Sequence, residues 1–586
     1  MDVSSLDTRN VNSLWAGVLV ETLHRCGVQL AVVSPGSRST PLTMALARHG
    51  GIEAVPVLDE RSAGFFALGA AKATGRPVVL VCTSGTAVAN YLPAIVEAHE
   101  SNVPLLVLTA DRPPELRDCA SGQTIDQLKI FGGYARFFHE CALPELDFGR
   151  LRYLRQTMAH AVQRTLVAEA GPVHVNLPFR DPLPPIDDGG GAAQFAAGVD
   201  WAQFFAHLAP VEVPVPSALV PHIIPEVHGA IIVGPTQAAD VASFVGAVSE
   251  IARRLGWPVL ADPLSPLRYH SASVPTLVTT YDLVLRNPAA AERLKPEAVL
   301  CLGGWPTSKG LRSWVEASEA KIWLVNEAGT NRDALHGRTQ SLVIAPSALA
   351  TILPESSEPN GYQRMWARYE EQMRPILDAK LDAESEMFEM KAVWLLAQHL
   401  PPETPLFIAN SMPVRDAEYV VPGADRHVRP LCNRGANGID GTLSSALGVA
   451  HGTGKPTVLL TGDLALLHDT NGFLLKPKLK TSLTIVLINN RGGGIFDHLP
   501  VSQFEPPFEQ FFATPQEADF GQLALAYGVE HTSVYDWAHF TDLIGYLPET
   551  GIRVLELHTD RKRDAATRRA WFAELGAALG GSSDAG

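Results

Sequence analysis

Short apolar runs that stop at a Gly, Ser, Asp or Asn recur along almost the whole chain. Between 30 and 179 they read LAVVSPGS, EAVPVLDE, PVVLVCTSG, PLLVLTADR and PVHVNLPF. GAIIVGP (229–235), WPVLADP (257–263), AVLCLGG (298–304) and KIWLVNEAG (321–329) follow. The last series is PLFIANS (405–411), PTVLLTGD (456–463), LTIVLINN (483–490) and IRVLELH (552–558). Each run has the length of a strand and no polar face, so helices must cover it on both sides, which is the signature of a parallel sheet. The runs fall into three series. The expected architecture is therefore α/β, with three consecutive doubly wound parallel-sheet domains at 1–185, 186–360 and 361–586. The Pro- and Gly-rich stretch DPLPPIDDGGGAA (181–193), with further prolines through Pro225, reads as a linker. ILPESSEPNG (352–361) reads as a second break, a helix is expected from about Tyr362 to Leu381, and the tail GGSSDAG (580–586) is expected to be disordered.

Charge narrows the choice of partner. With 47 Lys and Arg against 62 Asp and Glu, the net charge is −15 over 586 residues. Broad attraction to nucleic acid or an anionic membrane is not expected, and any anionic ligand must be held by individually placed arginines. The six cysteines form no C-x-x-C pair and have no histidine at metal spacing, so neither a disulfide framework nor a zinc site is expected. MDVSSLDTRNVNSLW lacks the basic and apolar regions of a leader, and no stretch approaches 18 apolar residues, so a cytoplasmic protein is expected.

In open parallel sheets, ligands bind beyond the carboxyl ends of the strands. Asp463 closes one run, and Asn489 and Asn490 close the next. An Asp carboxylate, an Asn amide oxygen and a backbone carbonyl near Gly492 supply half an octahedral shell for Mg²⁺, leaving the rest to a diphosphate and water. Asp and Asn after strands also serve as caps and turn residues, and this segment alone does not decide between the two. Neither the G-x-G-x-x-G fingerprint nor a G-x-x-x-x-G-K-[ST] loop follows any of the strands, which leaves a diphosphate cofactor bound through a metal. Thiamine diphosphate fits, and it also requires a carboxylate at its pyrimidine ring. Glu60 follows a strand and opens the Ala/Gly-rich segment ERSAGFFALGAAKATG. Burial would raise its pKa and keep a proton available to the ring nitrogen. A first-turn acid favoured by the helix dipole is the other reading of the same residue.

SPGSRSTPL (34–42), DERSAGFFALG (59–69), TSGTA (83–87), ADRPPELRD (110–118), NSMPVRD (410–416), NRGANGIDG (433–441), TGDLA (461–465) and NNRGGGIF (489–496) together resemble thiamine diphosphate-dependent enzymes. More narrowly, they resemble the 2-succinyl-5-enolpyruvyl-6-hydroxy-3-cyclohexene-1-carboxylate synthase family of menaquinone and phylloquinone biosynthesis. The resemblance runs from about Asn12 to His558. It implies decarboxylation of 2-oxoglutarate and 1,4-addition of the resulting succinyl carbanion equivalent to isochorismate, with thiamine diphosphate and Mg²⁺ or Mn²⁺. Glu60 is implied as the catalytic acid. Ile439, Gly462, Asp463, Asn490 and Gly492 are implied as cofactor contacts, with Asp463, Asn490 and Gly492 on the metal.

Both substrates are dianions, and Arg38, Arg112, Arg415 and Arg434 stand in the matching loops, where guanidinium suits carboxylate geometry. Any one of them alone reads equally as a surface ion pair. Arg415 and Arg434 are expected near the reacting carbon, and Arg38 and Arg112 in the other domain's loops. Ser37, Ser411 and Gln123 match family substrate positions, as does Lys309. Gly310 stands where some members carry a second basic residue, so the role of Lys309 stays open, with Arg312 as its substitute or a surface residue. The resemblance further implies a homo-oligomer, a dimer or dimer of dimers, in which Glu60 of one chain serves the cofactor held by Asp463 and Asn490 of another. Another thiamine diphosphate 2-oxoacid decarboxylase or carboligase would share Glu60, Asp463 and Asn490. A catalytically silent regulatory protein on the same fold would have no need of them.

Overall fold

The computed structural model describes residues 6–167, 169–213, 228–354 and 361–579. Among these residues are three six-stranded sheets, parallel throughout. The first holds β1 (Leu30–Val33), β2 (Glu53–Pro56), β3 (Val78–Cys82), β4 (Leu105–Asp111), β5 (Phe137–Glu140) and β6 (Pro172–Pro178), in the order β2-β1-β3-β4-β6-β5. The second holds β7 (Gly229–Val233), β8 (Val259–Ala261), β9 (Leu277–Val278), β10 (Ala298–Leu302), β11 (Lys321–Val325) and β12 (Arg338–Leu342), in the order β12-β11-β10-β7-β8-β9. The third holds β13 (Pro405–Ile408), β14 (Arg429–Leu431), β15 (Thr457–Gly462), β16 (Ser482–Asn489), β17 (Glu530–Ser533) and β18 (Gly551–His558), in the order β14-β13-β15-β16-β18-β17. Every apolar run is a strand, and the central ones are buried at every position. The three doubly wound sheets are thus as the sequence implies.

In each sheet the strand order changes direction at an interior strand. It does so between β1 and β3 in the first sheet and between β13 and β15 in the third, where diverging loops leave a crevice at the carboxyl ends. Those loops carry SPGSRST and TSGTA in one sheet, NSMPVRD and TGDLA in the other.

The chain forms two compact units. One comprises Met1–Pro214, Asn433–Gly454 and Asp469–Leu479; the other comprises Val215–Cys432, Lys455–His468 and Lys480–Gly586. The expected linker is different in the structure. Gly191–Ala197 and Trp201–Phe205 are helices of the first unit, with Ala196, Phe204 and Phe205 buried in its core. Arg155 and Arg25 lie over the Phe204 and Phe205 rings at 4.5 and 5.0 Å. Prolines lie on both sides of this aromatic pair, which anchors the segment by apolar burial. The expected helix is present as Gly361–Ala383. Residues 214–227, the acidic half of the second break (355–360) and the tail 580–586 lie outside the described residues.

Within the first unit, the helix Glu60–Thr74 packs on the helix Thr442–Thr453. Asp59 caps the former through the amides of Arg61 (2.9 Å) and Ser62, and Gly75 ends it in the left-handed region at φ 67°. The Ala/Gly-rich sequence permits a very close crossing, because a Cβ on Gly69 would lie 1.9 Å from the Ser445 carbonyl oxygen. Since the obstructing atom is backbone, Gly69→Ala has to push the helices apart. A cost of about 1–3 kcal/mol is expected for such overpacking, or a fall of roughly 2–10 °C in the first thermal transition. Circular dichroism of the full chain would measure it, and an unchanged transition would disprove the close crossing.

Candidate active site

At the carboxyl edge of the third sheet, Gly462 lies opposite Ile488 in the β15–β16 register, so Asp463 and Asn490 leave adjacent strands side by side. Asp463 is buried, and burial pushes its carboxyl up to about 6. Its Oδ2 accepts from the Gly492 amide at 2.8 Å. Gly492 sits at φ 136°, and a Cβ there would meet the Ala513 carbonyl oxygen at 2.4 Å, so only glycine serves. Its carbonyl accepts from the Gly494 amide at 2.9 Å, which leaves one lone pair. Asn490 donates through Nδ2 to Glu389 at 2.6 Å, while its Oδ1 is buried with no hydrogen-bond partner. An orphaned amide oxygen, a carboxylate and a spare carbonyl lone pair suit a hard divalent cation that takes its remaining ligands from phosphate and water. Among the described residues, no group of three or more His, Cys, Asp or Glu side chains is placed to hold a metal, so these oxygens are the donor set available.

Beside them, after β13, Ser411 takes φ 73° at the start of the helix Met412–Val420, a strained conformation for a residue with a side chain. Arg415 reaches back from that helix to the Ser411 carbonyl at 2.6 Å. His498 is close to Arg415 and is pushed down to about 4 by burial and by the neighbouring charges of Arg568 and Arg569.

In the first unit, Arg38 is buried behind exposed Ser37. It donates to the Phe179 carbonyl at 3.0 Å, its Nε has no partner, and its nearest carboxylate, on exposed Asp181, is 3.9 Å away. Burial lowers its pKa, and the charge of Arg112 lowers it further, so the two guanidiniums stand together. Arg112 donates to Ser84 Oγ, which donates to the Gln123 carbonyl at 3.0 Å, and Gln123 Nε2 returns to the Ser84 carbonyl at 2.9 Å. The β1, β3 and β4 loops thus bring Arg38, Arg112 and Gln123 into one cluster.

Glu60, half-buried, opens its helix close to Cys82 and Tyr91. Burial raises both of these groups, and the Glu60 charge adds to the effect. Arg434 and Ile439, both half-buried, belong to this unit through the segment Asn433–Gly454. Arg434 and Arg415 thus belong to different compact units, Arg415 lying on the helix Met412–Val420. Lys309 is exposed at the first position of the helix Lys309–Ser318 in the second unit.

Three carboxylates that sequence reasoning missed hold these groups in place. Asp469, fully buried, accepts from the Ser444 amide at 2.7 Å and hydroxyl at 3.0 Å and from Ser62 Oγ at 3.4 Å, close behind Glu60. Glu97 accepts from Lys72 and from the amides of Gly435 (3.0 Å) and Ala436 (2.7 Å), fixing the loop that carries Arg434. Glu389 holds Asn490. The HD dipeptide at 468–469, just after TGDLA, was the only local signal.

Three family domains cover most of the chain. Residues 15–130 match the thiamine pyrophosphate enzyme N-terminal TPP binding domain, 222–408 the middle domain of thiamine pyrophosphate enzymes, and 425–551 the C-terminal TPP binding domain. A 2-succinyl-5-enolpyruvyl-6-hydroxy-3-cyclohexene-1-carboxylate synthase of Microcystis aeruginosa is 51% identical over 569 residues, covering 97% of this chain and 99% of its own. The synthases of a Nostoc species (51%, 96% and 97%) and of Synechococcus elongatus (49%, 98% and 97%) are similarly close. On the strength of these matches and of the two strand-end clusters, the chain belongs to the thiamine pyrophosphate-dependent 2-succinyl-5-enolpyruvyl-6-hydroxy-3-cyclohexene-1-carboxylate synthases.

Proposed function

We propose that this chain decarboxylates 2-oxoglutarate and adds the remaining four-carbon unit to isochorismate in quinone biosynthesis, with thiamine diphosphate and Mg²⁺ or Mn²⁺. The observation that carries this reading is the pair Arg38 and Arg112, two neighbouring guanidiniums with one buried, unpartnered N–H in a protein of net charge −15. Such a pair is stabilised by an anion with two carboxylates, and with Arg415 and Arg434 it provides more clamps than a monoanionic acceptor would use.

Thiamine diphosphate, when bound, supplies the charged ring that takes up the electron pair left when CO₂ departs. Asp463, Asn490 and the Gly492 carbonyl would hold the cation on its diphosphate, beside Gly462. Glu60 would hold a proton at the pyrimidine ring nitrogen, and Ile439 would support the cofactor from below. Arg415, with Ser411, would orient the 2-oxoglutarate carboxylates. Arg38, Arg112, Ser37 and Gln123 would bind isochorismate, Arg434 would stand with Arg415 where the donor binds, and Lys309 would contribute a further charge.

The Glu60 and Asp463–Asn490 halves belong to different compact units. A homodimer in which different chains contribute them is the assembly proposed, with the division of each chain at 185/186 and 360/361 retained. No helix among the described residues is long and apolar enough to cross a membrane, and the cytoplasm is the proposed location.

Three outcomes test this. Glu60→Gln keeps shape but loses the acid, so turnover should fall by roughly 10²–10⁴ with little change in cofactor affinity; wild-type turnover would remove Glu60 from the chemistry. Asp463→Ala should abolish magnesium-dependent thiamine diphosphate binding in calorimetry, and unchanged affinity would place the cation elsewhere. CO₂ release from 2-oxoglutarate without isochorismate should be impaired in Arg415→Ala and close to normal in Arg112→Ala, which should instead lose about ten- to a hundredfold in kcat/KM for isochorismate. The opposite pattern would exchange the two roles.

A further inference from the structure

A side-chain amide can ligate a cation only through its oxygen, so which way Asn490 faces decides whether it is a ligand or a repelling N–H donor. The strand end does not decide this; the residue behind it does. Glu389, 2% exposed at the start of the helix Glu389–His399, offers Oε1 to Asn490 Nδ2 at 2.6 Å. Its other oxygen is taken by Arg568, whose guanidinium also donates from Nε and Nη2 to Asp416 at 2.7 Å each. Arg568 has donors only. Each hydrogen bond in the row Asp416–Arg568–Glu389–Asn490 therefore has a single possible direction, with both cationic and amide donors pointing at carboxylates, and the row ends on the orphaned Asn490 Oδ1.

We propose that Glu389 is a positioning residue that sets the polarity of Asn490 and so makes it a cation ligand. The inference rests on the reading of Asp463 and Asn490 as cation ligands given above. It has an unusual consequence for Glu389→Gln, which barely alters shape. Arg568 can accept nothing, so the new amide must turn its oxygen to Arg568 and its NH₂ to Asn490. Asn490 then flips to accept, and its own NH₂ faces the cation. The Thr559 hydroxyl, 3.4 Å from Glu389 Oε1, can rotate to accept and does not resist the change.

Asn490→Asp in the Glu389→Gln background should reverse the defect. A carboxylate has no NH₂ face: one oxygen accepts from the new glutamine, the other meets the cation, and the net charge returns to that of the wild type. Asn490→Asp alone should be poor, because it sets two buried carboxylates against each other.

The test is Mn²⁺ binding to the full-length chain with thiamine diphosphate, followed by loss of the free Mn²⁺ electron paramagnetic resonance signal. Thermal unfolding would be recorded for each variant. Glu389→Gln should weaken Mn²⁺ binding by about ten- to a hundredfold, the range typical of residues that orient a metal ligand. The double variant should recover most of it. Asp463→Ala should abolish it independently of residue 389. If Asp463→Ala abolishes binding but Glu389→Gln leaves it unchanged, or the double variant binds no better than Glu389→Gln, the positioning role is wrong. If Asp463→Ala binds Mn²⁺ as well as the wild type, the cation reading fails first and this inference falls with it. Should Glu389→Gln not fold, Asn490→Asp against the double variant carries the same test: improvement supports the role and equality overturns it.

Discussion

Arg568 is 1% exposed, yet it remains charged. Burial alone would lower its pKa, but Asp416 and Glu389 hold it above the ordinary arginine value. A guanidinium removed from water must be neutralised by carboxylates in good geometry, and removing either partner would leave a buried charge at a cost of about 3–5 kcal/mol. Its two acids lie on the helices that precede and follow the strand Pro405–Ile408. Asp416 is the neighbour of Arg415, and Glu389 holds Asn490. One buried cation on the final helix Arg561–Ala578 therefore ties together Arg415 and Asn490, the proposed substrate clamp and cation ligand, which are 75 residues apart in sequence.

The first unit solves a different electrostatic problem. Its crevice gathers positive charge in an acidic protein: Arg38 has exposed Asp181 at 3.9 Å, and the charge of buried Asp111 acts on it as well. Arg112 donates to the Ser84 hydroxyl, a neutral acceptor that orients it without cancelling its charge, and Gln123 Nε2 in turn holds the Ser84 carbonyl at 2.9 Å. Placing arginines against hydroxyls and carbonyls keeps their attraction for a dianion intact.

Much of this was legible in the sequence. The central strands are apolar throughout because both faces are covered, and the site loops follow them by the logic of open parallel sheets. Several edge strands were not legible. Glu530–Ser533 reads EHTS and Arg338–Leu342 reads RTQSL, both largely exposed and polar, with nothing to distinguish them from loops. The linker reading failed at Phe204 and Phe205, whose burial comes from a core formed mostly by distant residues. Glu389, Asp469 and Glu97 escaped for a related reason. Each acts on a partner 101, 407 or 338 positions away, and only folding brings such pairs together.

The segment order of the first unit bears on how the chain is made. Its sheet is complete by Pro178, but the helix that presses against Gly69 ends at Thr453, and the unit closes only at Leu479. On a ribosome adding about 5–20 residues per second, the Ala/Gly face of the Glu60 helix, complete at Thr74, is synthesised roughly 20–80 s before Leu479 closes the unit. Throughout that interval a nascent chain carries an apolar surface whose native cover does not yet exist. The same long-range closure that brings Ser444 and Asp469 to the back of Glu60 makes the first domain to be translated one of the last to finish folding, and so a natural client for chaperones.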